Sequence, residues 1–348
     1  MSMELIKANE AVVKAAVLAG CTQYYGYPIT PASEVAMAAA KYLPKVGGTF
    51  LQAESEVAAI NMVYGAAGAG ARVMTASSGP GISLKQEGVS YIAAAELPCV
   101  IIDVMRAGPG LGNIWPEQGD WNQVIHGGGH GNYKCLVFTP NCAQEMADLT
   151  ILAFDLAEKY RMPAYILTDA YIGQMMEPVE FPKVRKQAER RDYALYADHE
   201  SKDHLVSSIF MTTSGLEDHN FHLQKKYAEV EENEVRYQEI QVEDAELVMI
   251  GYGFISRLLQ SVVDNLRAEG HKVGLLRPIT AFPFCSKRLK ELADQGKKFL
   301  DIELSNGQML RDVQLAIGND KPLYFYNRMG GMVPSVEELT EVARRYLK

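Results

Sequence analysis

Four chemically active groups follow predicted strands in the first third of this sequence. In chain order they are Thr30, Glu56, the SSGPG turn at residues 77–81, and Arg106. The carboxyl ends of parallel strands meet at one edge of a sheet, where loops and helix N-termini bind ligands. A hydroxyl, a carboxylate, a glycine turn and a guanidinium at that edge predict a site for an anion or a cofactor.

Each of the side chains in this set also has a purely structural interpretation. Thr30 is suited to cap a helix, with Pro31 at the first helical position. Glu56, at a helix start, would complement the helix dipole. Arg106 has an acidic neighbour, Asp103, with which it could form an ion pair. The residues alone leave both sets of interpretations open.

Short buried strands that alternate with helices must position these groups. Such an alternation predicts an α/β fold with a doubly wound, mostly parallel sheet. The predicted strands of the first half are residues 24–27, 49–52, 72–76, 99–105, 135–138 and 164–167.

The character of the sequence changes at about residue 181. Residues 183–240 are rich in charge and are interpreted as a linker with a connecting, solvated helix at residues 227–239. A second α/β unit follows, with predicted strands at residues 247–250, 272–276, 299–304 and 323–326. The domains predicted from this pattern are residues 1–182, the linker 183–240, and residues 241–348.

Length and charge narrow the class of protein. A chain of 348 residues is long enough for two domains, and its net charge of −9 argues against a nucleic-acid partner. No apolar run has the roughly 18–20 residues that a membrane helix needs. The first ten residues lack the apolar core of a signal peptide. We therefore expect a cytoplasmic protein with no membrane association.

Cysteine and histidine spacing predicts no metal site. The five cysteines are scattered without a CxxC motif, and small buried side chains in a reducing compartment are the expected state. His126 and His130 are separated by three glycines, which disfavour the helix that would align them. His219 and His222 are interpreted as part of a solvated turn. Iron–sulfur clusters, if the protein transfers electrons, must lie on other chains.

Several motifs resemble one family. YPITPASE at residues 27–34, AESE at 53–56, TASSGPG at 75–81 and Arg106 with its glycine-rich tail are similar to the alpha-type subunit of 2-oxoacid:ferredoxin oxidoreductases. ELSNGQM at 303–309 resembles the second, transketolase-C-terminal-like domain of that family. The length and the VMRAGPGLG and WPEQGDWNQ segments look closest to the branched-chain members, which act on 2-oxoisovalerate. The 2-oxoglutarate enzymes, or a non-catalytic anion-binding protein of the same fold, are the alternatives.

This resemblance implies that the first domain binds the pyrimidine ring of thiamine diphosphate. The carboxylate that matches Glu56 shares a proton with a ring nitrogen, which a carboxyl group removed from water can do. Thr30 and Arg106 match positions that hold the 2-oxoacid, and a planar guanidinium suits its carboxylate. The further residues that the resemblance places at the cofactor are Pro28, Ile29, Ser78 and Gly79.

The same resemblance implies partner subunits. Gly119-Asp120-Trp121 and Gly318-Asn319-Asp320 do not match the GDG motif that binds the diphosphate and magnesium. A beta-type subunit is therefore expected to carry the diphosphate-binding domain and magnesium. A gamma-type subunit and a ferredoxin-like iron–sulfur subunit are expected beside it, with coenzyme A as co-substrate and ferredoxin as electron acceptor.

Two further groups have open interpretations. Trp115 and Trp121 are interpreted as packing residues against a partner subunit. The others, in the second domain, are interpreted either as a strand end and helix cap or as coenzyme or subunit contacts; they are Glu303, Asn306 and Gln308.

Overall fold

Helices and strands alternate along the first part of the chain. The computed structural model describes residues 3–183, 185–186 and 189–347, so residues 184 and 187–188 of the expected linker lie outside the description. The first elements are β1 (Glu4–Lys7), α1 (Ala8–Leu18), β2 (Gln23–Gly26), α2 (Ser33–Tyr42), β3 (Thr49–Gln52), α3 (Glu56–Gly68), β4 (Val73–Ser77), α4 (Pro80–Ala94), β5 (Cys99–Met105), α5 (Trp121–Ile125), β6 (Leu136–Phe138), α6 (Ala143–Tyr160), β7 (Pro163–Asp169), α7 (Ala170–Gln174), β8 (Met176–Val179) and α8 (Thr213–Asn233).

A second alternation of strands and helices follows α8. Its elements are β9 (Tyr237–Ile240), β10 (Leu247–Ile250), α9 (Gly253–Ala268), β11 (Val273–Pro278), β12 (Thr280–Phe282), α10 (Ser286–Asp294), β13 (Lys298–Glu303), α11 (Leu310–Ile317), β14 (Leu323–Asn327) and α12 (Val336–Arg344).

The larger sheet has the strand order β12-β6-β7-β5-β4-β2-β3. The strands from β6 to β3 in this order are parallel, and β12 pairs antiparallel with β6. Strands β4, β5 and β7 are buried along their whole length. Mostly apolar strands of this kind belong in a sheet whose two faces are both covered by helices. The predicted doubly wound, mostly parallel fold is confirmed for this domain.

The smaller sheet has the order β14-β13-β10-β11-β9, and it is parallel except for β9 at one edge. Two strands pair with a different sheet from the one that the expected domain division gives them. Strand β9 lies within the expected linker, residues 183–240, but belongs to the second sheet. Strand β12 lies within residues 241–348 but pairs with β6 of the first sheet. Strand β9 therefore conflicts with the expected boundary at residue 240, because backbone pairing rather than charge decides to which sheet a strand belongs, and the boundary at residue 182 stays a prediction.

The expected linker contains a long helix that packs on the first domain. Helix α8 buries Leu223, Tyr227 and Val230, and it ends at Asn233 rather than extending to residue 239. His219 and His222 lie on this helix, so the interpretation as a solvated turn is wrong. The His219 ring hydrogen-bonds with the carbonyl of Ala94 at 2.8 Å, and the His222 ring with Glu96 at 2.9 Å. Both histidines thus hold helix α8 against the end of helix α4 and the residues that follow it.

Candidate active site

Glu56 begins helix α3 at the carboxyl edge of the first sheet. Ser55 caps this helix, because its hydroxyl accepts a hydrogen bond from Ala58 N at 3.1 Å. The Glu56 side chain is buried, with 3% of the residue exposed. The hydroxyl of Ser77 donates to its Oε1 at 2.5 Å. This carboxylate therefore lies inside the protein at the end of β4, and not on a solvated helix face.

The second oxygen of Glu56 lies beside a buried lysine. Nζ of Lys85 is 2.6 Å from Oε2, which makes a close ion pair. Lys85 is fully buried, and it donates to the Thr75 hydroxyl at 3.1 Å. Burial lowers the pKa of Lys85, and the charge of Glu56 opposes that shift. Burial, and then the negative charge of Glu56, raise the pKa of the Tyr24 phenol.

Lys85 is the functional residue that the sequence interpretation missed. A signal was present, because Lys85 falls on the buried face of α4 together with Ile82, Val89 and Ile92. A charged residue at a position where helical spacing demands an apolar one indicates a buried partner of opposite charge.

The glycine turn brings the backbone close to the Glu56 carboxylate. A Cβ at Gly81 would lie 2.2 Å from Ser77 Oγ and 2.3 Å from Glu56 Oε1, so no larger residue fits there without movement. Gly79 has a φ of +39°, a conformation that favours glycine. The hydroxyl of Ser78 is buried and has no partner among the described residues. Ser78 and Gly79 thus line the same edge as Glu56.

Arg106 crosses from the end of β5 to the loop that follows β2. Its Nη1 donates to the carbonyl of Thr30 at 2.9 Å, and its Nη2 donates to the carbonyl of Leu111 at 3.0 Å. Its Nε is buried and has no partner among the described residues. The interpretation as an ion pair with Asp103 is wrong, because the guanidinium points along the rim and not back into the sheet.

Thr30 does not cap a helix, which corrects the structural interpretation of this residue. Helix α2 begins three residues later, at Ser33, and the Thr30–Pro31 peptide bond is cis. The Asn9 side chain donates to the Pro31 carbonyl at 2.9 Å and so holds this loop in place. Pro28 and Thr30 are exposed and Ile29 is half-buried on the rim after β2. The structure therefore brings all the predicted site residues to one edge.

Asp103 forms a buried carboxyl pair with Asp120. Burial and repulsion from Asp120 raise the pKa of Asp103 well above its usual value, and burial raises the pKa of Asp120 to about 6. The Asp103 oxygens have no donor among the other described residues, so their contact with Asp120 requires a proton on one of the two groups. Asp120 also accepts hydrogen bonds from Gly79 N at 3.2 Å and from Gln123 at 2.6 Å. The pair thus holds the glycine turn in place through the hydrogen bond from Gly79 N to Asp120.

The loop after Arg106 is tied to the second domain. Gln118 N donates to Leu304 O at 2.7 Å, Leu304 N donates back to the Gln118 side chain at 3.0 Å, and that side chain donates to Tyr252 O at 2.9 Å. The Gln308 side chain donates to Gly119 O at 2.7 Å. Gln308 is therefore a contact between the domains of one chain.

The remaining candidates also have structural partners. Trp121 is fully buried, its ring lies 4.9 Å from that of Tyr252 at an angle of 47°, and it donates to Asp312 at 2.7 Å, so it does not face a partner subunit. The His126 ring contacts the same Asp312 at 3.1 Å. Glu303 accepts hydrogen bonds from the first amides of α11, which supports its interpretation as a helix cap. Among the described residues, no three His, Cys, Asp or Glu side chains gather where they could hold a metal ion.

An open cleft of about 510 Å³ lies beside Thr30. Its walls are mostly apolar, and its only charged lining residue in the described part of the chain is Glu34. Trp115 is 64% exposed at its mouth. Its large apolar lining residues include Ile114, Trp115, Pro116, Tyr171 and Met175.

Buried polar atoms without a hydrogen-bond partner among the described residues lie at this edge, and a flat, polar cofactor ring would supply partners for them. Ser78 Oγ and Arg106 Nε are buried and have no hydrogen-bond partner among the described residues, whereas Glu56 Oε2 is paired with the Lys85 ammonium. Buried polar atoms are normally satisfied, so a cluster of exceptions marks a place where a ligand supplies the partners. A ring nitrogen that shares a proton needs a carboxylate close to it. The Glu56 carboxylate, packed against Gly81, matches that need.

Family profiles cover almost the whole chain. The profile described as "Pyruvate flavodoxin/ferredoxin oxidoreductase, thiamine diP-bdg" matches residues 14–244. The profile "Pyruvate:ferredoxin oxidoreductase core domain II" matches residues 245–339.

Full-length relatives and a solved structure agree with these profiles. The chain is 56% identical to the ketoisovalerate oxidoreductase subunit VorB of Methanothermobacter thermautotrophicus, over 99% of this chain and 98% of the relative. It is 35% identical to the 2-oxoglutarate synthase subunit KorA of Methanocaldococcus jannaschii, over 97% and 98%. The structure of 2-oxoglutarate:ferredoxin oxidoreductase from Magnetococcus marinus superposes with a TM-score of 0.91 at 26% identity, covering 100% of this chain and 66% of that chain.

Proposed function

Because the chain belongs to the thiamine-diphosphate-dependent 2-oxoacid:ferredoxin oxidoreductases, as an alpha-type subunit of a multi-subunit enzyme, we propose that it binds the pyrimidine side of the cofactor and acts on 2-oxoisovalerate. The reaction is the coenzyme-A-dependent oxidative decarboxylation of the 2-oxoacid. The single observation that supports the cofactor assignment best is the buried Glu56 carboxylate beside the glycine turn, with Ser77 donating to one oxygen and Lys85 paired with the other.

Glu56 is the proposed catalytic residue. When bound, thiamine diphosphate supplies the nucleophilic carbon and the electron sink for decarboxylation. Glu56 Oε2 would hold a proton at the pyrimidine ring nitrogen, while the Ser77 hydroxyl orients the carboxylate through Oε1. Pro28, Ile29, Ser78 and Gly79 would line the ring.

Arg106 and Thr30 are the proposed substrate-binding residues. The Arg106 Nη atoms are fixed by two backbone carbonyls, so the guanidinium has a defined orientation. Its unpartnered Nε is available for the 2-oxoacid carboxylate, and a guanidinium keeps its charge at every physiological pH. Thr30 lies on the same rim, where its own carbonyl holds Arg106.

The cleft beside Thr30 favours a branched, uncharged substrate side chain. Its lining in the described structure includes Glu34 but no lysine or arginine. The distal carboxylate of 2-oxoglutarate would meet a negative charge there, whereas an isopropyl group would bury apolar surface against Ile114 and Trp115. This supports 2-oxoisovalerate over the alternative, 2-oxoglutarate.

The active site is shared with a partner chain in this proposal. A beta-type subunit would hold the diphosphate and magnesium, a gamma-type and a ferredoxin-like subunit would complete the enzyme, and ferredoxin would take the electrons. A cytoplasmic location fits cysteines that are all free thiols in the structure. No helix in the described part of the chain is long and apolar enough to cross a membrane.

Calorimetry on the lone subunit and on the reconstituted complex tests the shared site. We expect the complex to bind thiamine diphosphate with magnesium tightly, and the lone chain at least about 100-fold more weakly, because half of the contacts are missing. A substrate screen on the complex should then rank 2-oxoisovalerate above 2-oxoglutarate. Tight magnesium-dependent binding by the lone chain would overturn the shared site, and tight 2-oxoacid binding by it would favour a free-standing anion-binding protein.

A further inference from the structure

A buried lysine contacts the proposed catalytic carboxylate from the protein side. Lys85 projects from α4 and reaches two groups, the Glu56 carboxylate at 2.6 Å and the Thr75 hydroxyl at 3.1 Å. Its side chain is 0% exposed and that of Glu56 is 4% exposed, so solvent does not screen the pair. The charge of Lys85 therefore acts directly on the protonation state of Glu56.

Stability alone does not explain this ion pair. Moving both charges out of water is costly, and a buried pair is often no more stable than apolar side chains of the same volume. The second domain shows what a purely structural buried lysine does: Nζ of Lys297 donates to three backbone carbonyls, of Val242, Glu243 and Ala245, at 2.9–3.0 Å. Lys85 donates to no backbone carbonyl in the described structure and instead contacts one hydroxyl and one acid.

We propose that Lys85 is a positioning residue whose positive charge keeps Glu56 ionised when the proton is on the cofactor ring, and which holds Oε2 in place for that ring. The proposal rests on the function assigned to Glu56 above. A carboxylate stabilised by a cation releases its proton to a neighbouring base more completely than an isolated buried carboxyl group, which would retain it.

Few other ionisable groups act on Glu56. Tyr24, on β2, is a neutral phenol whose pKa is raised by the charge of Glu56. Asp103 lies opposite Ser77 on the neighbouring strand, and burial raises its pKa well above the usual value; Arg106 donates to two carbonyls on the rim. Lys85 is thus the cation in direct contact with the carboxylate.

Proton uptake on cofactor binding tests this role. If Lys85 keeps Glu56 ionised in the cofactor-free wild-type complex, binding that leaves a proton on the ring takes up about one proton from solvent. In Lys85→Met the proposal puts that proton on Glu56 before the cofactor binds, so the uptake should fall towards zero. Calorimetric titrations of thiamine diphosphate into the cofactor-free complex, repeated in buffers of different ionisation enthalpy, measure this number.

A pH profile and a matched control separate positioning from folding. Lys85→Met should lower kcat by about tenfold or more and move the acidic limb of the kcat profile to higher pH. Lys297→Met should lower the melting temperature but leave both the proton uptake and the limb unchanged. A folded Lys85→Met complex with wild-type uptake and profile overturns the proposal.

A further measurement does not depend on the folding of a lysine variant. The infrared difference between the cofactor-free wild-type and Glu56→Gln complexes at neutral pH should show an ionised carboxylate, and a protonated one overturns the proposal. Failure of the assigned function looks different: the Glu56→Gln complex would then bind and activate thiamine diphosphate normally. If Glu56→Gln is inactive but Lys85→Met behaves like wild type, only the role of Lys85 is wrong.

Discussion

A buried glutamate lies at the carboxyl edge of each sheet, and the two carboxylates have very different surroundings. Glu303, the last residue of β13, accepts hydrogen bonds from Ser305 Oγ at 2.6 Å, Met309 N at 3.1 Å and Leu310 N at 2.9 Å. Glu56, at the start of α3, contacts one hydroxyl donor and one lysine. Residue type and burial are the same, so neither property alone distinguishes a structural carboxylate from a site.

The two edges differ in their hydrogen bonds. The donors around Glu303 come from its own helix α11 and its own turn. At the first edge the atoms without a partner among the described residues, Ser78 Oγ and Arg106 Nε, follow two separate strands, β4 and β5. At the second edge the oxygens without a partner among the described residues are those of Asp301, the acid that interacts with Glu303.

Replacing each glutamate by glutamine gives the largest expected contrast. Glu56→Gln should fold and assemble but lose about 10²- to 10⁴-fold in kcat, because an amide cannot exchange a proton with the ring. Glu303→Gln should instead destabilise the chain by about 1–3 kcal/mol. One carboxylate oxygen becomes an NH2 group, which cannot accept a hydrogen bond from the donors that surround it. Steady-state kinetics and thermal melting of both variants measure the two effects.

The matched control for this contrast is Glu54→Gln. Glu54 is exposed two residues before Glu56, so its substitution should change neither kinetics nor melting. If Glu54→Gln lost turnover and Glu56→Gln did not, the wrong carboxylate would have been assigned.

Arg106→Lys should give the next largest effect and confine it to the first edge. Lysine keeps the charge but cannot hold two carbonyls and a carboxylate at once. We expect kcat/KM for the 2-oxoacid to fall about ten- to 100-fold, equivalent to about 1.5–3 kcal/mol for one charge-assisted contact. Thiamine diphosphate affinity of the complex should stay within about twofold. A variant with a lower melting temperature and unchanged kinetics would end the substrate-binding assignment.

The buried acid pairs of the two domains provide the smallest effect. Asp301 resembles Asp103, because burial and then repulsion from Glu303 raise its pKa well above the usual value. A carboxyl group with a raised pKa stabilises the fold below its unfolded pKa of about 4, and that contribution is lost as pH rises through the folded value, which is about 6 for Asp120.

Asparagine imitates the protonated acid at every pH. The free energy of unfolding of Asp103→Asn should therefore rise relative to wild type between pH 5 and pH 8, by at most about 1.4 kcal/mol per pH unit, and the melting temperature should rise with it. Asp301→Asn should show the same sign. Only Asp103→Asn should also alter KM, because Asp120 supports Gly79. A difference that shrinks with rising pH would contradict the raised pKa of the pairs.

The sequence predicted the parallel strands well and missed the antiparallel ones. Strands β5 and β10 have the predicted bounds, because buried parallel strands are mostly apolar throughout. Strands β1, β8, β9 and β12 are three or four residues long, and each is paired antiparallel with its partner. Unlike β10, which has four apolar residues, these short strands contain polar residues or proline, so no apolar run distinguishes them from loops, and their pairing depends on distant backbone.

The site was predictable to the extent that it follows strand ends. Thr30, Glu56 and Arg106 were placed at one edge by topology alone, and the structure brings Arg106 to the Thr30 carbonyl. Lys85 and the Asp103–Asp120 pair could not be placed in this way. Their roles depend on which side chains meet across α4, β5 and the loop before α5, which spacing along the chain does not specify.

The hydrogen bonds between Gln118 and the second domain have a consequence for how this subunit diversifies. The loop that begins at Arg106 is anchored at its far end to Leu304 and Tyr252. We therefore expect substitutions around Leu304 to shift the loop that carries Arg106, although Leu304 is not among the proposed substrate-binding residues. A chimera that exchanges the second domain between relatives would also exchange the groups that hold this loop, so we expect the two domains to work best when taken from the same relative.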